Sequence, residues 1–77
     1  MKFRISNLSR SQLTAAVEEA NLTTLQRKIV MELSTEELND LGIMYKYHIG
    51  HEKYYAEKHV ALKKIQDALA SITPHTA

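Results

Sequence analysis

The sequence predicts an all-α fold, a small four-helix domain that contains a helix-turn-helix. Three observations carry this reading. Only two glycines and one proline interrupt 77 residues. Apolar residues recur at three- and four-residue spacing almost throughout, the period of a helix with one buried face. Between Gly42 and Ala70 an amphipathic segment, a break and a long helical pattern follow one another without a gap.

Each element has a local reason. Phe3 and Ile5 alternate with polar neighbours, which suggests a short extended arm over residues 1–8. Ser9 or Ser11 caps a first helix over 9–20, with Leu13, Ala16, Val17 and Ala20 on one face and Asn21 as its stop. Thr23 or Thr24 caps a second helix over 24–33, where Leu25, Ile29, Val30 and Leu33 form the buried stripe. Ser34-Thr35-Glu36-Glu37 reads as a capping box opening a third helix, with Leu38 and Leu41 starting its apolar face. Gly42 is a candidate terminator, but Ile43, Met44 and Tyr47 continue the period and carry this helix over 35–47. His48-Ile49-Gly50 is the break, and a fourth helix runs over 51–71 before Pro74 and a frayed tail over 72–77. Ile49 is expected to plug the corner, while Tyr54, Ala61 and Ile65 pin the fourth helix against Ile29, Val30 and Ile43. That packing leaves the outer face of the fourth helix free for a DNA major groove.

Composition narrows the function classes. A single domain of this size buries only ~60% of the surface its unfolded chain exposes. Without cysteine, neither disulfides nor thiolate-bound zinc can reinforce it. No apolar run approaches the roughly 20 residues of a membrane span, and Met1-Lys2-Phe3-Arg4 does not lead into a signal-peptide core, so a soluble cytoplasmic protein without membrane contact is expected. The net charge is +1, but its distribution is uneven. Up to Leu41, five basic residues face six acidic ones; from Gly42 to Lys64, five lysines face only Glu52 and Glu57. The positive charge thus gathers on the proposed helix-turn-helix, as phosphate attraction requires.

Asp40 to Leu69 resembles, without insertion or deletion, the C-terminal part of the ArpU/RinA-type transcriptional regulators of phages and prophages, which are themselves similar to region 4 of sigma factors. The matching positions are Ile43-Met44, Tyr47-His48-Ile49, the polar run Gly50-His51-Glu52-Lys53, Tyr54-Tyr55, Ala61-Leu62, Ile65 and Ala68-Leu69. Leu22-Thr23-Thr24-Leu25-Gln26-Arg27 looks like the start of the helix preceding such motifs. His48 stands where the family's turn usually has glycine, and Gly50 where a Ser or Thr cap is usual. The resemblance implies sequence-specific binding of double-stranded DNA in the cytoplasm of a bacterial host, for transcriptional regulation.

A rival resemblance has a different consequence. Leu33 to Ile43, followed by Gly50-His51 and a long C-terminal helix, looks like a SAM domain, a protein-interaction module, although two gaps are needed to align it. A third reading is a small helical inhibitor that binds a host enzyme. A helix continuous through Ile43–Tyr47 that meets the next helix near a right angle favours the regulator; a helix ending at Gly42 with a loop to Gly50 favours the SAM-like module.

For the DNA reading, His51, Glu52, Lys53, Tyr55, Ala56 and His59 are the candidates to face base edges, by position in the first turns of the fourth helix. Lys46, Arg27, Lys28, Lys63 and Lys64 are the candidates for phosphates. A single half-site binds weakly, so a homodimer or a partner such as RNA polymerase is expected, with Ala68, Leu69 and Ile72 as an apolar stripe for the purpose. Other chemistry has less support. His48, His51 and His59 suggest a metal only superficially, because zinc needs three or four convergent ligands. Glu36 and Glu37 are adjacent and do not face each other as paired catalytic carboxylates would; a first helical turn explains them better. No Gly-rich phosphate loop or Ser-His-Asp set is present, so neither an enzyme nor a cofactor is expected. Tyr47 and Tyr54 are expected in the core, with Tyr45 and Tyr55 partly exposed.

Overall fold

The computed structural model describes residues 4–72. It is all-α: a short 3-10 helix, Ile5–Asn7, precedes α1 (Arg10–Ala20), α2 (Thr24–Thr35), α3 (Asp40–Tyr47) and α4 (His51–Ile72). Reciprocal side-chain and backbone bonds open the first two helices. Ser9 and Gln12 form a complete capping box at α1, and Thr23 and Gln26 form another at α2. Asn21 ends α1 in the left-handed conformation with φ 55°, which asparagine tolerates better than most residues.

Two sequence expectations fail at the next junction. The third helix does not begin at residue 35, and Ser34-Thr35-Glu36-Glu37 is not its capping box. The Ser34 and Thr35 hydroxyls instead donate back to the carbonyls of Met31 and Glu32 at 2.7 and 2.9 Å, extending α2 by two residues beyond its expected end. Glu36 then ends α2 with φ 58°, so Glu36 and Glu37 lie in the connection, not in a first helical turn. The true cap is Asn39, whose Oδ1 accepts from the Gly42 amide at 2.8 Å. Leu38 packs on the core, but Leu41 is 70% exposed. Ile43 and Met44 set the inward face of α3, and a residue two positions before Ile43 is turned about 200° away from it.

The arm expectation also changes. Arg4 is extended, but Ile5–Asn7 coil into the 3-10 helix, and Ile5 is buried in a cluster with residues of α1, α2 and α4. Residues 1–3 of the expected arm and residues 73–77 of the expected tail lie outside the described residues, while Ile72 is the last residue of α4.

The core has two parts joined along α2. Ala16 and Val17 of α1, Leu22, Val30 of α2, and Ala61, Ile65 and Ala68 of α4 form one with Ile5. Ile29 of α2, Ile43 and Met44 of α3, and Tyr54 of α4 form the other. Adjacent residues Ile29 and Val30 therefore serve different clusters, and half-buried Leu33 touches both. Tyr54, Ala61 and Ile65 are all fully buried, on the face that the apolar period selects. Ile49 packs against the second cluster but is only half-buried.

The corner between α3 and α4 is a Schellman motif. His48 sits at φ 54°, ψ 48°, its amide donates to the Tyr45 carbonyl at 3.4 Å, and the Ile49 amide donates to the Met44 carbonyl at 2.9 Å. Ile49 and Met44 belong to one apolar cluster, which supplies the hydrophobic contact that accompanies this motif. Gly50 follows; its carbonyl accepts the first bond of α4, from the Tyr54 amide at 2.9 Å, and the space where a Cβ would sit is open. Left-handed backbone costs a residue with a Cβ about 1–2 kcal/mol. His48→Gly should therefore stabilise the fold by about 1 kcal/mol. Gly50→Ser, which adds a capping hydroxyl in open space, should add a few tenths more, ~0.3–1 kcal/mol. Thermal melts should rise by about 4–8 °C and 1–8 °C respectively. A fall in the melting temperature of His48→Gly would mean that the imidazole contributes more than its backbone strain costs.

Candidate nucleic-acid interface

A three-residue turn, 48–50, joins the end of α3 to the start of α4. Two carboxylates hold α3 at its two ends. At its start, Asp40 accepts from the Tyr54 hydroxyl at 2.6 Å, from the Tyr55 hydroxyl at 3.3 Å, and from Lys58 Nζ at 3.0 and 3.3 Å, all three on α4. At its end, Lys46 Nζ and the Tyr47 hydroxyl donate to Glu32 of α2, at 2.6 and 2.5 Å. Partial burial pushes the Asp40 carboxyl up, but hydrogen bonds from Tyr54 and Lys58, with the Lys58 charge, together outweigh it and leave the pKa lowered. Glu32 is lowered chiefly by the hydrogen bond from Lys46 and next by that from Tyr47. Burial first, and the Asp40 carboxylate next, push the Tyr54 phenol up.

Helical geometry sorts the exposed residues of α4. Tyr54, Ala61 and Ile65 define the inward direction. At 100° per residue, Glu52, Ala56, His59 and Lys63 then lie on the outermost stripe, and all four are exposed. His51 and Tyr55 flank this stripe on the side of Asp40, with their rings 4.7 Å apart, and Tyr55 also meets Tyr54 edge-on at 5.1 Å. Tyr55 is 40% exposed. Lys53 is exposed on the opposite flank, one turn before Glu57 and three turns before Lys64, both of which reach Gln26 of α2. The six base-edge candidates thus occupy the exposed surface of the first three turns of α4.

The phosphate candidates are not one group. Lys28 and Lys46 come together at Tyr47, their Nζ atoms 5.6 and 5.4 Å from its ring centroid. Lys46 is ion-paired to Glu32. Arg27 is exposed on α2. Lys64 is half-buried and donates to Gln26 Oε1 at 3.0 Å, and Lys63 is exposed beside it. Ten residues of helix put Lys63 roughly 15 Å along α4 from Lys53. The stripe expected for a homodimer is largely covered within the chain: Ala68 is buried and Leu69 packs on the first core cluster, leaving Ile72 exposed. Those residues follow the inward direction of α4, so α1 takes the face that was assigned to a second chain. Tyr47 is half-buried, and Tyr45 is 86% exposed.

Two participants escaped sequence reasoning. Gln26 is buried, and besides its role in the α2 capping box it donates to Glu57 and accepts from Lys64. Asp40 entered the sequence analysis only as the first residue of the stretch that resembles the regulators. Asp40 is separated from its partners by 14 to 18 residues and Gln26 from its α4 partners by 31 and 38, so no local pattern records the pairings. Among the described residues, no three His, Asp or Glu side chains converge on a potential metal position, and no helix is long and apolar enough to cross a membrane.

The two carboxylate clamps make stability depend on pH in one direction. Both carboxyl pKa values are lowered on folding, so the unfolded chain binds protons more readily and stability is lost as pH falls. The loss should begin below about pH 5 and continue through the folded-state values. Asp40→Asn should cost about 1–2 kcal/mol near neutral pH and flatten this acid limb, as read from denaturant melts between pH 7 and 2. An unchanged limb in Asp40→Asn would place the acid sensitivity elsewhere.

Comparison of the chain with protein-family models, with curated proteins and with solved structures finds no match.

Proposed function

We propose that this protein binds duplex DNA through the outer face of α4 and acts as a transcriptional regulator of the ArpU/RinA type. The observation that carries the reading is the corner itself. α3 runs unbroken through Ile43–Tyr47 and is followed by a three-residue Schellman turn and a long helix whose first outward residues are polar and exposed. A SAM-like reading required a helix ending at Gly42 and a loop to Gly50, and α3 has neither. Groove reading needs a helix held rigidly from behind, and Tyr54, Ala61 and Ile65 are fully buried behind this one.

In this proposal Glu52 accepts from cytosine N4, and His51, Tyr55 and His59 read the neighbouring edges. Lys53 donates to guanine O6 or N7 from the flank. Ala56 lies centrally on the outer stripe, where a small side chain permits close approach to the groove floor. Arg27, Lys28, Lys46 and Lys63 face phosphates, which position the protein without reading sequence. So few charges support only a modest affinity for one half-site, and a second copy or RNA polymerase supplies the rest.

Fluorescence anisotropy with mixed duplexes at low ionic strength tests the reading. Affinity should fall steeply with salt, with a slope of about 0.9 per phosphate contact. Ala56→Glu places a like charge on the groove-facing stripe and should weaken duplex binding at least about tenfold, while the exposed position keeps stability within ~0.5 kcal/mol. Equal binding by Ala56→Glu would remove α4 from the interface. No duplex binding by the parent protein at tens of micromolar would favour the protein-interaction readings.

A further inference from the structure

We propose that Glu32 is a built-in competitor of the DNA backbone, an internal counter-ion occupying the positive seat formed by Lys28, Lys46 and the Tyr47 hydroxyl. The proposal rests on the DNA-binding reading above and adds to it the residue that limits affinity.

The geometry is specific to this corner. Two ammonium groups, from α2 and α3, lie within 6 Å of the same Tyr47 ring centroid. One carboxylate, Glu32, takes a bond from one of them and from the hydroxyl of that ring through the same oxygen, Oε2. The Glu32 side chain is recessed at 14% exposure, whereas that of Lys46 is 52% exposed and Lys28 is open to solvent. A phosphate approaching from outside therefore meets the lysines first, with the carboxylate behind them. Lys46 has three donor hydrogens, and its bond to Glu32 leaves two for an outside oxygen. The position suits a backbone contact. Lys46 is in the last turn of α3, next to the turn that delivers α4, and α3 is the helix that crosses the backbone in such motifs.

The electrostatic consequence follows from charge counting. Three charges, two positive and one negative, leave +1 at the seat. Counter-ion release scales with the charge that a protein brings to the phosphates, and Lys46 has already spent its charge on Glu32. The carboxylate also repels the phosphate directly. Lys46 should therefore behave as a much weaker phosphate contact than a free lysine.

Glu32→Gln separates charge from shape, because the amide oxygen still accepts from Lys46 and Tyr47. Duplex affinity of this variant should rise about 3- to 10-fold at low salt, and the slope of log affinity against log salt should steepen by about one unit. In the parent background, Lys46→Ala should change affinity less than about threefold and the slope by well under one unit. In the Glu32→Gln background the same substitution should lower the slope by about one full unit. Circular dichroism in the binding buffer verifies the folded fraction of each variant. If folded Glu32→Gln binds duplex no more tightly than the parent, the competitor role is overturned. It is equally overturned if Lys46→Ala costs a full unit of slope in the parent, a test that does not depend on the stability of the Glu32 variant. A parent protein with no salt-dependent duplex binding would instead overturn the DNA reading itself.

Discussion

The ring of Tyr54 is the constraint on which the helix-turn-helix depends. It is fully buried in the cluster of Ile29, Ile43 and Met44, one residue from α2 and two from α3. Its hydroxyl is too polar to bury unpaired, and it donates to Asp40 at the start of α3. One side chain thus fixes both the depth of α4 and the position of α3 across it. Asp40 carries the coupling outward to Tyr55 and Lys58, so the first two turns of α4 are held by the core from below and by a carboxylate from the side. α3, with only eight residues, has little stability of its own and depends on these contacts.

The corner imposes the second constraint. A Schellman turn requires left-handed backbone at one residue and an apolar residue immediately after it. His48 and Ile49 meet those needs, with histidine at the sterically costlier position. The same Ile49 whose amide bonds the Met44 carbonyl also packs against the cluster of Ile29, Ile43, Met44 and Tyr54. Because His48 adopts the left-handed conformation, the turn forms without a glycine at this position, at a cost in local strain.

Charge is distributed differently in space than along the chain. Five lysines lie between Gly42 and Lys64, yet Lys46 and Lys58 are ion-paired and Lys64 is bonded to Gln26. The pairings serve the packing of α2, α3 and α4 on one another. Lysines counted as a basic patch are thus partly structural, and the exposed surface of α4 is less positive than its composition implies.

The sequence by itself determined the helical class, a cap for α1 at Ser9 or Ser11 and for α2 at Thr23 or Thr24, the stop at Asn21, and the inward face of α4 through Tyr54, Ala61 and Ile65. These are legible because each depends on residues within one or two turns of each other. Tertiary structure alone decided the start of α3. Ser34-Thr35-Glu36-Glu37 and Asn39 are both adequate caps, and the choice between them turned on α2 continuing to Thr35 beneath Leu33, and on Ile43 and Met44 facing Ile29. It also decided that Ile5 folds into the core, that Ala68 packs within the chain, and that Asp40, Glu32 and Gln26 are the polar joints. The polar joints rest on partners 14 to 38 residues away, and a pairing over that distance exists only after the helices have packed.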